Sequence, residues 1–460
     1  MRKIRLYIAV SIALLSLWRC APKLLTSDLE PPQSWIFGES IDVDTLQLPI
    51  KWWEIFGDTT LNNLIQRALL NNRDLAAAAT KVESAQANIK VLKSEYLPAL
   101  SLVAYGENEY TYTDKNVQEY YLEPTISWEV SLFGALRQSS KKAKAEYASS
   151  EWALRAMRLS IAAEIANVYF TLQQAMSNLV IAQSTYDLRL SEAALIDSMY
   201  QYGMSDGVAR EQAQSLKYSA LSDISLYTRV AEQTKMTLSV LLGETPNDVY
   251  GRVSPDVPHE IVAGVLPPKI PMLMPSELLE RRPDVIESYY NMESAAAKVG
   301  IARANRYPSL SITAEGGVLG STLKSLTSSH PWAWTVIGEV VQPIFNFGRL
   351  KNSERIAVQS YMESLYTYED TMLTAFSEVE SALIAIETYA TQREAAAALV
   401  GTNADIANKV NALYDNGMND YLNVIDAERE LYSAQMGLVA AITEQYVSYI
   451  SLFKALGGGY

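Results

Sequence analysis

The chain has 460 residues, 49% of them hydrophobic and 20% charged, which is enough apolar material for a sizeable core and excludes a disordered polymer. A formal net charge of −14 excludes the basic footprint that a nucleic-acid partner requires. The single cysteine excludes a disulfide framework.

In chain order, "MRKIRLYIAVSIALLSLWRCAPK" comes first. Arg2, Lys3 and Arg5 precede an apolar run from Leu6 to Trp18 that is too short to span a bilayer and fits the core of a secretory signal, so residues 1–19 are expected to be removed on export. Cys20 follows at once, where a bacterial lipoprotein carries its acylated residue. Arg19 stands where such a site prefers a small residue, and this leaves a second reading, a cysteine beside an ordinary cleavage site. Residues 20–58 are expected to form a lipid-anchor and extended segment. Past residue 20 there is no uninterrupted apolar stretch of about 18 residues, so any crossing of a membrane must be made by strands.

Residues 59–245 and 273–460 are two copies of one unit. Glu83, Ser84, Ala85, Ala87 and Pro98 recur 210 positions later as Glu293, Ser294, Ala295, Ala297 and Pro308. Beyond the strands the shift is 214: Gly134 and Leu136 match Gly348 and Leu350, "YQYGMSD" from Tyr200 matches "YDNGMND" from Tyr414, and Leu242 and Gly243 match Leu456 and Gly457. Each copy is predicted to run helix, strand, strand, long helix, helix. The first has helices over 60–97, 137–200 and 207–243 with strands over 100–113 and 117–132; the second has helices over 274–306, 351–415 and 420–456 with strands over 309–319 and 332–342. The Pro-rich residues 246–272 between the copies predict an extended linker.

The strands share a two-residue period. In "EYYLEPTISWEVSLFG", Tyr120, Leu122, Ile126, Trp128 and Val130 alternate with Glu119, Glu123, Thr125, Ser127 and Glu129. Leu102, Ala104, Tyr110 and Tyr112 oppose Ser101, Glu107, Glu109 and Thr111; Leu310, Ile312, Ala314 and Val318 oppose Ser311, Thr313 and Glu315; Trp332, Trp334, Val336 and Val340 oppose Thr335 and Glu339. This is the pattern of a lipid-facing barrel with a wet interior, and a soluble sandwich shows the same alternation. On the barrel reading Glu107, Glu119, Glu129, Glu315 and Glu339 line the lumen. Four strands cannot close a barrel, and an open edge in lipid leaves backbone groups unpaired, so several chains must share one wall; three supply about twelve strands.

In the long helices Tyr147, Leu154, Ile161, Val168 and Ala175 repeat every seven residues, as do Tyr361, Tyr368, Ala375, Ala382 and Tyr389. Such a repeat predicts coiled-coil packing, and about 64 residues at 1.5 Å each reach roughly 100 Å.

"WWEIFGDTTLNNLIQRALLNNRDL", "ERRPD" followed by "YPSLS", "SWEVSLFGALR", "QPIFNFGRLK", "NGMNDYLNVIDAERELYSAQ" and "KALGGGY" together closely resemble the outer-membrane efflux proteins of the TolC type, in their lipoprotein branch. The resemblance implies a mainly α fold with a small β part, a homotrimer with a twelve-stranded barrel in outer-membrane lipid, and a periplasmic coiled-coil tunnel. It implies as partners a periplasmic membrane-fusion adaptor and an inner-membrane resistance-nodulation-division transporter, no cofactor and no metal. Pro98 and Pro308 then break a helix before a strand, Gly134 and Gly348 permit the turn back into helix, and ERRPD is architectural. The periplasmic gate falls at the second helix turn: Tyr414, Gly417 and Asp426 match the family's tyrosine, glycine and second aspartate, whereas Asn419 replaces its basic residue and Asn423 its first aspartate. The turns with Gly203, Met204 and Asp206, and with Gly417, Met418 and Asp420, are implied to meet the adaptor.

Three rivals compete with the drug or metal-ion conduit. An enzyme lacks its motifs: there is no GxxxxGK[ST], GxSxG, HExxH or CxxC, and His259 and His330 lie far apart in loop-like sequence. A periplasmic adaptor lipoprotein should flank one hairpin with a β domain, whereas here strands interrupt helices twice. A type I protein-secretion channel shares the whole architecture and differs in cargo.

Overall fold

The computed structural model describes residues 24–37, 51–110, 112, 117–252, 275–328 and 332–458. The expected signal peptide, Cys20, Thr111, His259, His330 and most of the Pro-rich linker lie outside them. After a short 3-10 turn at Trp52–Phe56 the order is α1 (Thr59–Asn71), α2 (Arg73–Ser94), β1 (Ala99–Glu109), β2 (Val117–Val130), α3 (Ala135–Gln201), α4 (Gly207–Leu242) and α5 (Pro246–Arg252). The second copy follows as α6 (Pro275–Arg281), α7 (Pro283–Ala304), β3 (Ser309–Gly320), the one-turn α8 (Ser325–Ser328), β4 (Trp332–Val341), α9 (Arg349–Asp415) and α10 (Tyr421–Ala455).

Among the helices, two features differ from expectation. Residues 246–252, assigned to the linker, are helical, with Pro246 at the first position where its missing N–H costs nothing. The opening helix of each copy is broken in two, at Asn72 and at Arg282. These positions are 210 apart and do the same work. Asn72 leaves the helical region (φ −59°, ψ 131°); its Oδ1 accepts from the Asp74 and Leu75 amides at 2.9 and 3.1 Å, and its Nδ2 donates to the Leu241 carbonyl at 2.8 Å. Arg282 precedes Pro283, whose ring disfavours helix at the residue before it. Its guanidinium donates to Asp284 at 2.8–3.0 Å, to Glu378, and to the Ala455 carbonyl at 3.3 Å. Leu241 and Ala455 are 214 apart, in the last turns of α4 and α10, so each copy uses one buried polar side chain to satisfy an orphan helix carbonyl. Gly243 and Gly457 let these segments approach: both have positive φ (67° and 86°), and a Cβ on Gly243 would sit 2.4 Å from the Asn71 carbonyl oxygen.

Residues Thr80–Trp152 and Ile286–Thr371, with residues 24–29, form one compact unit. It contains the sheet, an antiparallel meander in the order β1-β2-β3-β4. β1 ends at Glu109, short of the expected 113, which leaves Tyr110 and Tyr112 outside the ladder. Register puts every strand in one phase. Leu102 pairs with Pro124, Leu122 with Val318, Trp128 with Ile312, Val318 with Trp332 and Ala314 with Val336 on one face; Glu107 pairs with Glu119, Glu129 with Ser311 and Glu315 with Thr335 on the other. Every residue of β1 and β4 is exposed, and Leu100, Leu102, Trp334 and Val340 are each at least 65% accessible. A sandwich covers its apolar face with a second layer. No such layer exists among the described residues. Below the strands, Phe133 stacks on Tyr307 at 5.0 Å, Lys141 pairs with Glu293 at 2.9 Å, and Glu354 binds Arg303 at 2.9 Å and Arg306. The Tyr361 hydroxyl donates to the Leu25 carbonyl at 2.5 Å.

Glu30–Ala79, Ala153–Val285 and Met372–Tyr460 form the other unit. Its core is aromatic. Trp52 stacks on Phe453 at 5.5 Å, Phe170 lies parallel to Tyr446 at 4.2 Å, and Phe56 meets both Phe170 and Tyr446 edge-on. Asp58 joins backbone to core: its Oδ1 caps α1 through the Thr60 and Leu61 amides, and its Oδ2 accepts from the Tyr169 hydroxyl at 2.5 Å. The seven-residue repeat of α9 is buried as expected at Ala375 and Ala382, beside Val379 and Ile386.

Candidate functional site

Two places concentrate the residues singled out from sequence. The first is the polar face of the sheet. Glu107, Glu119, Glu129, Glu315 and Glu339 all lie on it by register, and Glu123, opposite Val103, joins them. Tyr105 stacks on Tyr121 at 4.7 Å and donates its hydroxyl to Glu107.

The second is the pair of helix turns. Each is a Schellman closure: the Gly203 and Met204 amides donate to the Tyr200 and Met199 carbonyls at 3.0 and 2.8 Å, and the Gly417 and Met418 amides to the Tyr414 and Leu413 carbonyls at 2.9 Å each. Gly203 and Gly417 sit at φ 72° and 68°, the left-handed region that closure requires. Asp206 caps α4 through the Ala209 amide at 2.7 Å, whereas Asp420 begins α10 with no side-chain cap. Met204 and Met418 are exposed, at 72% and 67%.

The four helix ends meet at a small core of Ala193, Ile196 and Ala213, with Met199, Ala209, Tyr414 and Tyr421 packed against it. Tyr414 is therefore half-buried inside the protomer, its ring 5.6 Å from that of Tyr421. Burial, then the Asp415 and Glu192 charges, push its phenol up from the ordinary value. Tyr200, its counterpart in the first copy, is exposed instead, with Arg210 lying 5.3 Å over the ring. Asn419, Asn423 and Asp426 fall at helical spacing on the other side of the α10 start. Asn423 donates to Asn419 at 2.5 Å, and Asp426 pairs with Arg429 at 3.1 Å. The structure pairs the two asparagines with each other, leaves Asp426 exposed on α10 beside Arg429, and packs Tyr414 against the small core instead.

A buried cluster next to this core has no precedent in the sequence reading. Arg189 is 3% exposed; it donates to Glu192 at 3.0 Å and to Glu428, and Glu428 also accepts from Asn411 at 3.3 Å. Glu192 and Glu428 accept from the same Arg189 nitrogen, Nη1, which brings the two carboxyls together. Burial, then the Glu428 charge, offset by Arg189, push the Glu192 carboxyl up to about 7. Arg189, Glu192 and Glu428 have Asn403, Ile406 and Gln214 at their 214-shifted positions, so the other copy carries no counterpart; most of their neighbours differ between the copies too, and the sequence does not single these three out.

No described helix is long and apolar enough to cross a membrane, and no group of described His, Cys, Asp and Glu residues could hold a metal. Sequence comparison then decides the family: the profile described as "Outer membrane efflux protein" matches residues 64–244 and 274–458, one match per repeat. The chain belongs to that family. Among its relatives, the probable efflux pump outer membrane protein TtgC of Pseudomonas putida is 31% identical over 438 residues, covering 93% of this chain and 89% of the relative. The cation efflux system protein CusC of Escherichia coli K12 is 30% identical over 416 residues, covering 89% and 88%. The crystal structure of the Campylobacter jejuni CmeC outer membrane channel superposes with a TM-score of 0.87 at 24% identity, covering 96% and 95%, and a CusC structure with 0.80 at 29%, covering 95% and 100%. As a member of this family, the chain is an outer-membrane efflux channel component.

Proposed function

We propose that three copies of this chain share one twelve-stranded barrel and serve as the passive outer-membrane conduit of a tripartite efflux system, fed by an inner-membrane resistance-nodulation-division pump through a periplasmic adaptor. The observation that carries this reading is the sheet. Its apolar face is bare, and neither β1 nor β4 has a partner on its outer edge among the described residues. In a four-strand antiparallel meander the two edges run in opposite directions. β4 of one copy set beside β1 of the next therefore continues an antiparallel ladder, and a ring of copies leaves no edge in lipid. Strands of 10–14 residues suit a bilayer.

The cargo is a class of small molecules. TtgC of another P. putida strain is named for toluene, ArpC of the same species for antibiotics, and CusC for cations. Cys20 acylation is supported by SilC of Salmonella typhimurium, described as a probable outer membrane lipoprotein and 30% identical over 416 residues. The turns around Gly203, Met204, Asp206, Gly417, Met418 and Asp420 are the surfaces for the adaptor, and Asp426 with Asn419 and Asn423 lines the periplasmic aperture. Disruption of the gene followed by a susceptibility panel of solvents, antibiotics and metal ions tests the conduit: sensitisation to none of them refutes it. At the aperture, Asp426→Ala reduces the cation preference of single-channel currents and Arg429→Ala increases it, because Arg429 neutralises part of that charge. Unchanged selectivity in both removes Asp426 from the pore.

A further inference from the structure

We propose that Arg189, Glu192 and Glu428 form a proton-operated latch that holds the turn ends of the two helix pairs together, closed while Glu192 carries a proton and loosened when it leaves. The geometry carries it. Arg189 and Glu192 lie near the end of α3, and Glu428 lies in the second turn of α10, so the cluster bridges the first copy's helix pair to the second's. All three side chains are largely withdrawn from water, at 4%, 16% and 6% exposure. Two carboxyl groups accept from one guanidinium nitrogen, and one guanidinium neutralises only one carboxylate, so a second positive charge, a proton on one of the carboxyls, is needed for balance. With the proton, the cluster is neutral. Without it, a net negative charge sits in a buried site, and such a charge is relieved by admitting water.

Among the described residues, the surrounding groups offer no second cation to that charge. From α9, Asn411 donates a neutral hydrogen bond to Glu428, and Asp415 adds negative charge beside Tyr414. From α10, Tyr421 packs with its buried hydroxyl lacking a partner; burial, then Glu192, push its phenol up, so it stays neutral, as does Tyr414. Arg210, on α4, is engaged by Asp197 at 2.7 Å. The direction follows. The raised Glu192 value means the packed state binds the proton more tightly than the loosened one. Packing is fully supported below the ordinary glutamate value near 4.5 and weakens as pH rises through about 7.

Hydrogen–deuterium exchange on the intact, detergent-purified chain tests the latch without reference to conduction. After correction for intrinsic exchange chemistry, opening of amides in 189–200 and 411–428 rises about tenfold between about pH 6 and about pH 8. Glu192→Gln, which is neutral at every pH as the protonated carboxyl is, holds opening at the low-pH level throughout. Glu428→Gln leaves one arginine for one glutamate and is also flat. A wild-type profile without change over that range overturns the proposal, as does a Glu192→Gln protein that keeps the wild-type response. Should that variant not fold, the wild-type and Glu428→Gln profiles decide. Bilayer current over the same range reports separately whether the loosened state widens an aperture.

Discussion

Arg282→Ala asks how much of the fold depends on one ERRPD side chain. The guanidinium is buried, at 6% exposure, so burial alone would lower its pKa, but the Asp284 and Glu378 contacts hold it up. Those two carboxylates are 41% and 46% exposed and rehydrate when the arginine is removed, so the lost ion pairs cost little. The larger losses lie inside. The Ala455 carbonyl loses its side-chain donor, at about 1–3 kcal/mol, and the apolar stem leaves a gap that adds roughly as much. A combined destabilisation of about 3 kcal/mol corresponds to on the order of a hundredfold faster local opening. Hydrogen exchange in residues 449–456 of the full chain reads it directly. Arg282→Lys keeps the charge without the planar fork and falls between wild type and alanine. An Arg282→Ala protein whose C-terminal turn opens less than about threefold faster refutes the view that this residue closes the end of α10.

Three other substitutions probe separate elements. Gly243→Ala places a methyl 2.4 Å from the Asn71 carbonyl in a left-handed conformation and destabilises the α4 terminus by at least about 2 kcal/mol, visible in denaturant midpoint. Leu122→Arg sets a charge on the apolar face and costs about 2–4 kcal/mol of membrane stability, blocking heat-stable assembly, while Glu123→Arg on the polar face assembles and shifts selectivity towards anions. Burial would raise the Glu354 carboxyl, but hydrogen bonds from Arg306 and Arg303 hold it below the ordinary glutamate range. Its contribution is present above pH ~4.5 and is lost as pH falls through the depressed value, so Glu354→Gln flattens the acid limb of a stability–pH profile in that region.

The sequence by itself determined the repeat, the helix-strand-strand-helix-helix order and the phase of all four strands. Each of these is periodic: a period of two fixes which face of a strand a residue joins, and a shift of 210 or 214 is visible wherever both copies keep the same residue. Tertiary structure alone decided what happens at single positions. The break at Asn72 has no proline or glycine to announce it, whereas Pro283 marks the one at Arg282; in both, only the partners at Leu241 and Ala455 show what holds the turned chain in place. Tyr414 and Asp426 sit close in the turn sequence yet lie on different faces, since one packs on Ala193 and Ile196 and the other meets solvent. The Arg189–Glu192–Glu428 cluster joins residues up to 239 positions apart, a separation no local pattern encodes. Its charge balance, one cation for two acids, exists only once the helices have brought them together.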